Sequence, residues 1–290
     1  GKGPAVDHST WGAHVAMQRY KGWGTVLAYG IAGHHAGLAN GQIGERRRAL
    51  FERLSSDALA DLPPLLPAWE GEIELPAKLD APERFRPASS RTLFQLSLLT
   101  RMIFSCLVDA DFIDTDNFYR SIEGRGPRST HVRPSLEDLR EKLNAYLATF
   151  SSVGAVNEKR KHILDHVRSG ASQSPGVFSL TVPTGGGKTL SSMAFALDHA
   201  ITHGLSRVHN LLPSTSIVGQ NAKVLEEAFG GLGRDAVLQH HSAFLDDPRG
   251  ALESIEKREL ATENWGAPVI VTTAVDFFES LFADRPSKCR

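Results

Sequence analysis

The chain has 290 residues, 41% hydrophobic and 22% charged, and its 32 Lys+Arg against 33 Asp+Glu leave a formal charge of -1. This is the balance of a globular protein of about two domains; it excludes extensive disorder, and the neutral total excludes a globally basic nucleic-acid binder. Cysteine occurs only as Cys106 and Cys289, which excludes a disulfide framework and fits a reducing, cytoplasmic setting, while the lack of a long apolar run removes a membrane from the expected partners.

The first half reads as helical. Ser9 and Thr10 are capping residues ahead of a helix over Trp11 to Gln18, and a second apolar stretch runs from Thr25 to His35. Apolar residues at 50, 51, 54, 59 and 62 predict a helix over Gly44 to Leu62. Residues 63–90 are rich in proline and polar breaks and read as loop. Arg91 to Asp111 is the most apolar helix candidate and is expected in the core. A loop over 120–134 follows, and Pro134-Ser135 opens a helix with Glu137 and Asp138 in its first turn, where the macrodipole favours acids.

The second half changes style. A helix over about 156–169 leads to an apolar run, Val177 to Thr181, then a glycine-rich turn and a helix over Thr189 to His203. Strand-like runs follow at Val208 to Leu212, Ala236 to Leu238 and Pro268 to Thr272, with helices near Ile217 to Phe229 and Val275 to Phe282. This alternation predicts a parallel, doubly wound sheet. The expected architecture is a helical domain over 1–150 followed by an α/β domain over 151–290. Neither Gly1-Lys2-Gly3-Pro4 nor Arg285 to Arg290 reads as a natural terminus, so a fragment of a longer chain is the expectation.

Pro183-Thr184-Gly185-Gly186-Gly187-Lys188-Thr189 joins an expected strand to an expected helix. Glycines let successive backbone N–H groups curl around a phosphate, and a helix N-terminus adds partial positive charge. Thr184, Gly185, Gly186 and Gly187 then form the cradle, Lys188 reaches the β- and γ-phosphates of ATP, and the Thr189 hydroxyl is placed to ligate Mg²⁺. The first position of the phosphate-loop pattern is Val182 rather than glycine. Further on, Pro213-Ser214-Thr215-Ser216 and Thr272-Thr273 each follow a strand and open a helix. They read either as contacts to nucleic-acid phosphates or as helix caps.

Twelve histidines are present. His8 lies beside Asp7, His34 and His35 are adjacent, and Asp109-Ala110-Asp111 closes the apolar helix. Histidine and aspartate suit Mn²⁺, Fe²⁺, Ni²⁺ or Mg²⁺. Adjacent helical histidines point about 100° apart, so His34 and His35 are expected to serve two neighbouring metals, or to divide between metal and substrate; a two-metal site suits phosphodiester cleavage. Taken singly, each histidine is an ordinary surface or core residue.

The segments DHSTWGAH, AGHHAGL, LVDADFIDT, SLTVPTGGGKT, LLPSTSI, LATENWGAPVIVTTAVDFFESLF and RPSKCR together resemble the CRISPR-associated HD nuclease–helicase, the "Cas three" effector of type I systems, closest to subtype I-C. The resemblance covers nearly the whole chain. It implies a helical HD phosphohydrolase domain before tandem RecA-like domains, metal-dependent degradation of DNA, ATP-driven movement on single-stranded DNA, and recruitment by the Cascade surveillance complex. It implies that His8, His34, His35 and Asp111 ligate a divalent metal (Mn²⁺, Ni²⁺, Co²⁺ or Fe²⁺), with Asp109 as the alternative carboxylate. It also implies that Lys188 and Thr189 serve ATP and Mg²⁺, and that Asn157 to Arg160 lies on the adenine side. The family's H-D dipeptide, its D-E-x-[HQ] box and its second RecA-like domain are not among the 290 residues. Negligible ATPase activity and weak metal binding are therefore expected of this piece. Arg46 to Arg48 and Arg120 to Arg133 are candidate phosphate contacts or plain solvated faces. The alternatives are an HD-type nucleotide phosphohydrolase with a P-loop regulatory domain, or an inactive remnant that binds DNA or Cascade.

Overall fold

The computed structural model describes residues 7–42, 48–83, 85–126, 133–240 and 265–282. The chain divides into two compact units, residues 1–128 with 279–290, and residues 129–278.

In the first unit, α1 (His8–Arg19) and α2 (Trp23–Gly33) pack as a tight pair. Small residues set the closeness. A Cβ on Gly24 would stand 2.6 Å from the Ala16 carbonyl oxygen, and Ala13, Ala28, Ala32 and Leu50 fill the seam. The helix expected over Gly44 to Leu62 is broken. Its described part forms α3 (Leu50–Arg53) and α4 (Ser56–Ala60), because Ser55 turns its hydroxyl onto the Ala58 N–H and starts a new helix. The proline-rich region holds one turn of helix, α5 (Trp69–Glu72).

Helix α6 (Thr92–Ile122) is longer than the apolar pattern predicts. It is also not a core helix. Only Phe104 and Val108 are buried, and Leu93, Phe94 and Met102 are exposed. Its apolar residues are spread around the helix rather than gathered in one stripe, so α2, its main partner among the described elements, covers few of them.

The second unit contains α7 (Leu136–Ala148), α8 (Ala155–Ser169), α9 (Lys188–Thr202), β1 (Val208–Leu212), α10 (Thr215–Phe229), α11 (Gly233–Ala236), β2 (Val237–His240) and β3 (Val269–Thr273), and then α12 (Ala274–Leu281) begins. The unit starts ahead of the expected boundary near 150 because α7 buries Leu136, Leu139 and Leu143 in its core. Ser135 and Asp138 cap α7 reciprocally.

The three strands are parallel, in the order β1-β3-β2. Val269 and Val271 face α7, α9 and α10 in the main core, while Ile270 and Leu238 pack on the other side with Trp265. All of β3 is buried. A histidine and an asparagine in β1 conflict with a buried central strand. Among the described strands β1 pairs with β3 alone, and His209 is exposed, which accommodates them. The molecule is thus mostly helical with a small parallel sheet, an α plus α/β architecture.

The strand expected at Val177 to Thr181 is not formed. Val177 is fully exposed. Phe178 instead packs edge-on against Phe195 and His199 of α9, so the run leans on a helix rather than pairing with a strand. No helix among the described residues is long and apolar enough to cross a membrane.

Candidate functional site

The histidine centre begins with the cap of α1. Asp7 accepts the Thr10 N–H at 3.0 Å and the Ser9 and Thr10 hydroxyls at 2.7 Å each. Burial works to raise the Asp7 pKa, but these bonds and the Arg53 charge outweigh it and hold the carboxyl at about 2. That cap fixes the first residue of α1, His8. Helix α2 ends at Gly33, and His34 and His35 follow in the turn.

The Nε2 atom of His8 lies 3.2 Å from Nε2 of His34 and 3.1 Å from Nε2 of His35. One donor atom from each ring lies within 4.8 Å of the others. The expected divergence of His34 and His35 is therefore overturned. The two residues lie in the turn after α2 rather than within a helix, and their imidazole arms are long enough to bring the tips together; the two ring centroids are 3.8 Å apart. One ion can reach all three donors.

The spacing fits a metal. Nitrogen donors about 2.1 Å from one ion stand roughly 3.0–3.4 Å apart in octahedral or tetrahedral geometry. Protonation points the same way. His34 Nδ1 lies 2.7 Å from the Ile31 carbonyl oxygen, which can only accept, so a neutral His34 carries its proton on Nδ1 and a lone pair on Nε2. The Nε2 atoms of His8 and His35 then face that lone pair and each other. A cation satisfies all three lone pairs at once.

His34 is buried, and His8 and His35 are exposed toward solvent. Burial, followed by the charge of the His34 ring, lowers the His35 pKa, while the Asp111 and Asp7 charges pull the other way. Asp111 sits on α6, outside the triad of donors, and is the one of the two weighed aspartates whose charge reaches His35.

The phosphate loop occupies the start of α9. Thr184 to Ser191 form turns that pass into the helix at Lys188. Gly187 caps it at φ 82°, and Gly185 has φ 83°, backbone that a residue with a Cβ adopts only with strain. A Cβ on Gly186 would meet Val182 Cγ1 at 2.3 Å and the Pro183 oxygen at 3.0 Å. Arg160 of α8 braces the loop by donating from Nε to the Gly185 carbonyl at 2.8 Å and from Nη1 to Asn157 at 3.3 Å. The first N–H groups of α9 lack helical acceptors, as at any helix start, and Lys188 and Thr189 stand among them. A cavity of about 700 Å³ beside Gly187 is lined by Phe150, Asn157, Arg160, Arg168 and Ser191.

The hydroxyl pairs divide. Ser214, Thr215 and Ser216 are exposed at the end of β1, and the Ser214 and Ser216 hydroxyls are 2.9 Å apart. Thr272 and Thr273 are buried. Thr273 caps α12 by accepting the Asp276 N–H at 3.0 Å, and Thr272 Oγ1 is buried with no hydrogen-bond partner among the described residues. These two threonines are not surface groups open to a nucleic-acid backbone.

Among the arginines, Arg120 and Arg133 donate to the Gly126 and Asp235 carbonyls. Arg46, Arg47 and Arg128 lie outside the described residues, as do residues 260–264 and 285–290 of the resembling segments. Sequence reasoning missed Arg53, which joins α1 to α2. Its isolation in a charged run, Glu45 to Arg53, gave no signal. No family model and no curated protein matches this chain.

Proposed function

We propose that the chain is part of a metal-dependent DNA nuclease joined to an ATP-driven superfamily 2 helicase, the CRISPR-associated effector that its motifs resemble. The first unit is read as the HD-type centre and the second as the first RecA-like lobe. The observation that carries the reading is the convergence of His8, from the start of one helix, on His34 and His35, from the end of the next. Such convergence of ring nitrogens is what a metal-ligating role requires.

In this reading His8, His34 and His35 hold a divalent transition metal, with Asp111 supplying negative charge nearby. When bound, such a cation supplies Lewis acidity toward a phosphodiester. Gly185 to Gly187 and the N–H groups of α9 cradle the phosphates of ATP, Lys188 neutralises their charge, and Thr189 offers an oxygen to Mg²⁺. The cavity beside Gly187 has the position and the aromatic residue, Phe150, for a purine. Ser214 to Ser216 suit single-stranded DNA phosphates, bound without reading sequence. A Cascade-type complex is the expected recruiting partner, in the cytoplasm.

Co²⁺ titration of the full chain, followed by its visible absorption, tests this. We expect one ion per chain, weaker than in a complete four-ligand site, and binding more than about 100-fold weaker still in the His34→Ala variant. Cobalt uptake that His8→Ala, His34→Ala and His35→Ala all leave unchanged would overturn the reading. Assay of the metal-loaded chain on single-stranded DNA against small nucleotides then separates the nuclease from a nucleotide phosphohydrolase.

A further inference from the structure

Arg53 ends the short helix α3, and its side chain is only 18% exposed. Its Nη1 donates to the Ala32 carbonyl at 2.6 Å. Its Nη2 donates to the Thr10 hydroxyl at 2.7 Å and the Ser9 hydroxyl at 3.0 Å, and lies 3.5 Å from the Asp7 carboxylate. His8 sits between Asp7 and Ser9, and His34 follows Ala32 by two positions. One guanidinium therefore grips the chain on both sides of His8 and the last turn of α2 just before the histidine pair.

The support behind Arg53 is itself fixed. Leu50 is fully buried in the seam between α1 and α2. The Glu52 carboxylate accepts the Ala49 N–H at 2.7 Å and closes the start of α3. A planar fork with donors on separate nitrogens can bridge two backbones at a set spacing, whereas an ammonium is a single point of attachment.

We propose that Arg53 is a positioning residue that sets the distance between His8 and the His34–His35 pair. The inference rests on reading the three histidines as a metal centre. The hydrogen bonds of Arg53 go to Ala32, Ser9 and Thr10 and to none of the rings. It acts by tying the α1 start to the α2 end, so that the 3.1 and 3.2 Å separations are built before any ion arrives. Without it the Ala32 carbonyl and the Ser9 and Thr10 hydroxyls lose their shared donor, and the two helix ends are free to slide.

The test uses the full chain, unaltered and as Arg53→Met and Arg53→Lys. Tyr20→Phe serves as a comparator, since it removes a hydrogen bond from Tyr20 to the Pro76 carbonyl without touching this network. Two properties are read. In metal-free protein, nuclear Overhauser contacts between the ring protons of His8 and those of His34 and His35 report the spacing. In the titration, Co²⁺ affinity reports its use. Arg53→Met is expected to lose the ring contacts and to bind Co²⁺ about 10–100-fold more weakly, the usual effect of removing support behind a ligand. Arg53→Lys should fall between, and Tyr20→Phe should lower the melting temperature but change neither property. A folded Arg53→Met that keeps both the ring contacts and the affinity overturns the proposal. If Arg53→Met does not fold, Arg53→Lys decides on the same two measurements. If the unaltered chain takes up no Co²⁺, the metal-centre reading fails, and the ring contacts alone decide the role of Arg53.

Discussion

The histidine centre and the phosphate loop are built in opposite ways. The loop is local. Consecutive residues from Thr184 to Thr189 take their shape from two glycines at positive φ, a third with no room for a Cβ, and the helix that follows. It keeps that shape although the run before it, Val177 to Thr181, is not a strand. The histidine centre is tertiary. It exists only because α1, α2 and α3 are held together by an alanine and glycine seam and by the hydrogen bonds of Arg53. A local site tolerates change in its surroundings, and an assembled one does not.

The contrast breaks first at the sheet. Ile270 has no exposed surface, and Val177 is fully exposed. Ile270→Ala should destabilise the protein by about 2–5 kcal/mol through lost burial and the cavity left behind. Val177→Ala should change stability by under about 0.5 kcal/mol. Urea denaturation of the two variants measures both. A Val177→Ala cost close to that of Ile270→Ala would return the run to the sheet and make the phosphate loop as dependent on its surroundings as the histidines are.

Metal uptake sharpens the contrast. Removing a ligand should exceed the effect of removing its support, so His34→Ala should weaken Co²⁺ binding by more than about 100-fold. Lys188→Ala should leave Co²⁺ binding untouched and reduce the affinity for ATP analogues. Calorimetric titration of both variants with both ligands gives the four values. A loss of metal binding in Lys188→Ala would mean that the two sites are not independent.

The elements whose signals are local were the legible ones. Helix α7 has its Ser135–Asp138 box, β1 its Val208–Leu212 run, and the loop its glycines; α1 was legible as a helix, but its cap is Asp7, and Ser9 and Thr10 lie inside its first turn. The pairing of His8 with His34 and His35 was reached through a motif resemblance, and spacing alone argued against a shared ion. Spacing speaks of Cβ directions, while the donor atoms sit at the ends of rotatable arms. The exposure of α6 was illegible because composition reports how apolar a helix is and not how many neighbours it has. Arg53 was illegible because its partners, Ala32 and the Ser9–Thr10 pair, are distant in sequence and two of the bonded groups are ordinary hydroxyls.

Within the loop, steric fit should matter slightly more than conformational freedom. Gly186→Ala forces Val182 and the Pro183 carbonyl aside, with an expected cost of about 1–3 kcal/mol. Gly185→Ala enters open space, so only its positive φ resists, at about 1–2 kcal/mol. Thermal unfolding ranks the two, and ATP-analogue binding shows whether the cradle survives. If Gly186→Ala proves neutral, the loop is not held against Val182, and its local character is lost.

The smallest expected effect lies in the cap beneath His8. The Asp7 pKa is lowered from 3.8 to about 2 in the folded chain. A depressed carboxyl binds its proton more readily when unfolded, so its stabilisation is present above about pH 4 and disappears as pH falls toward 2. The Asp7 side chain is 40% exposed, so solvent screening reduces the worth of that shift to under about 1 kcal/mol. Asp7→Asn should therefore melt slightly earlier than the unaltered chain at pH 6, and the gap should close by pH 2. If the gap is the same at both values, Asp7 stabilises α1 through shape rather than charge. The assembled character of the histidine centre would then rest on the fork of Arg53 and not on its ion pair.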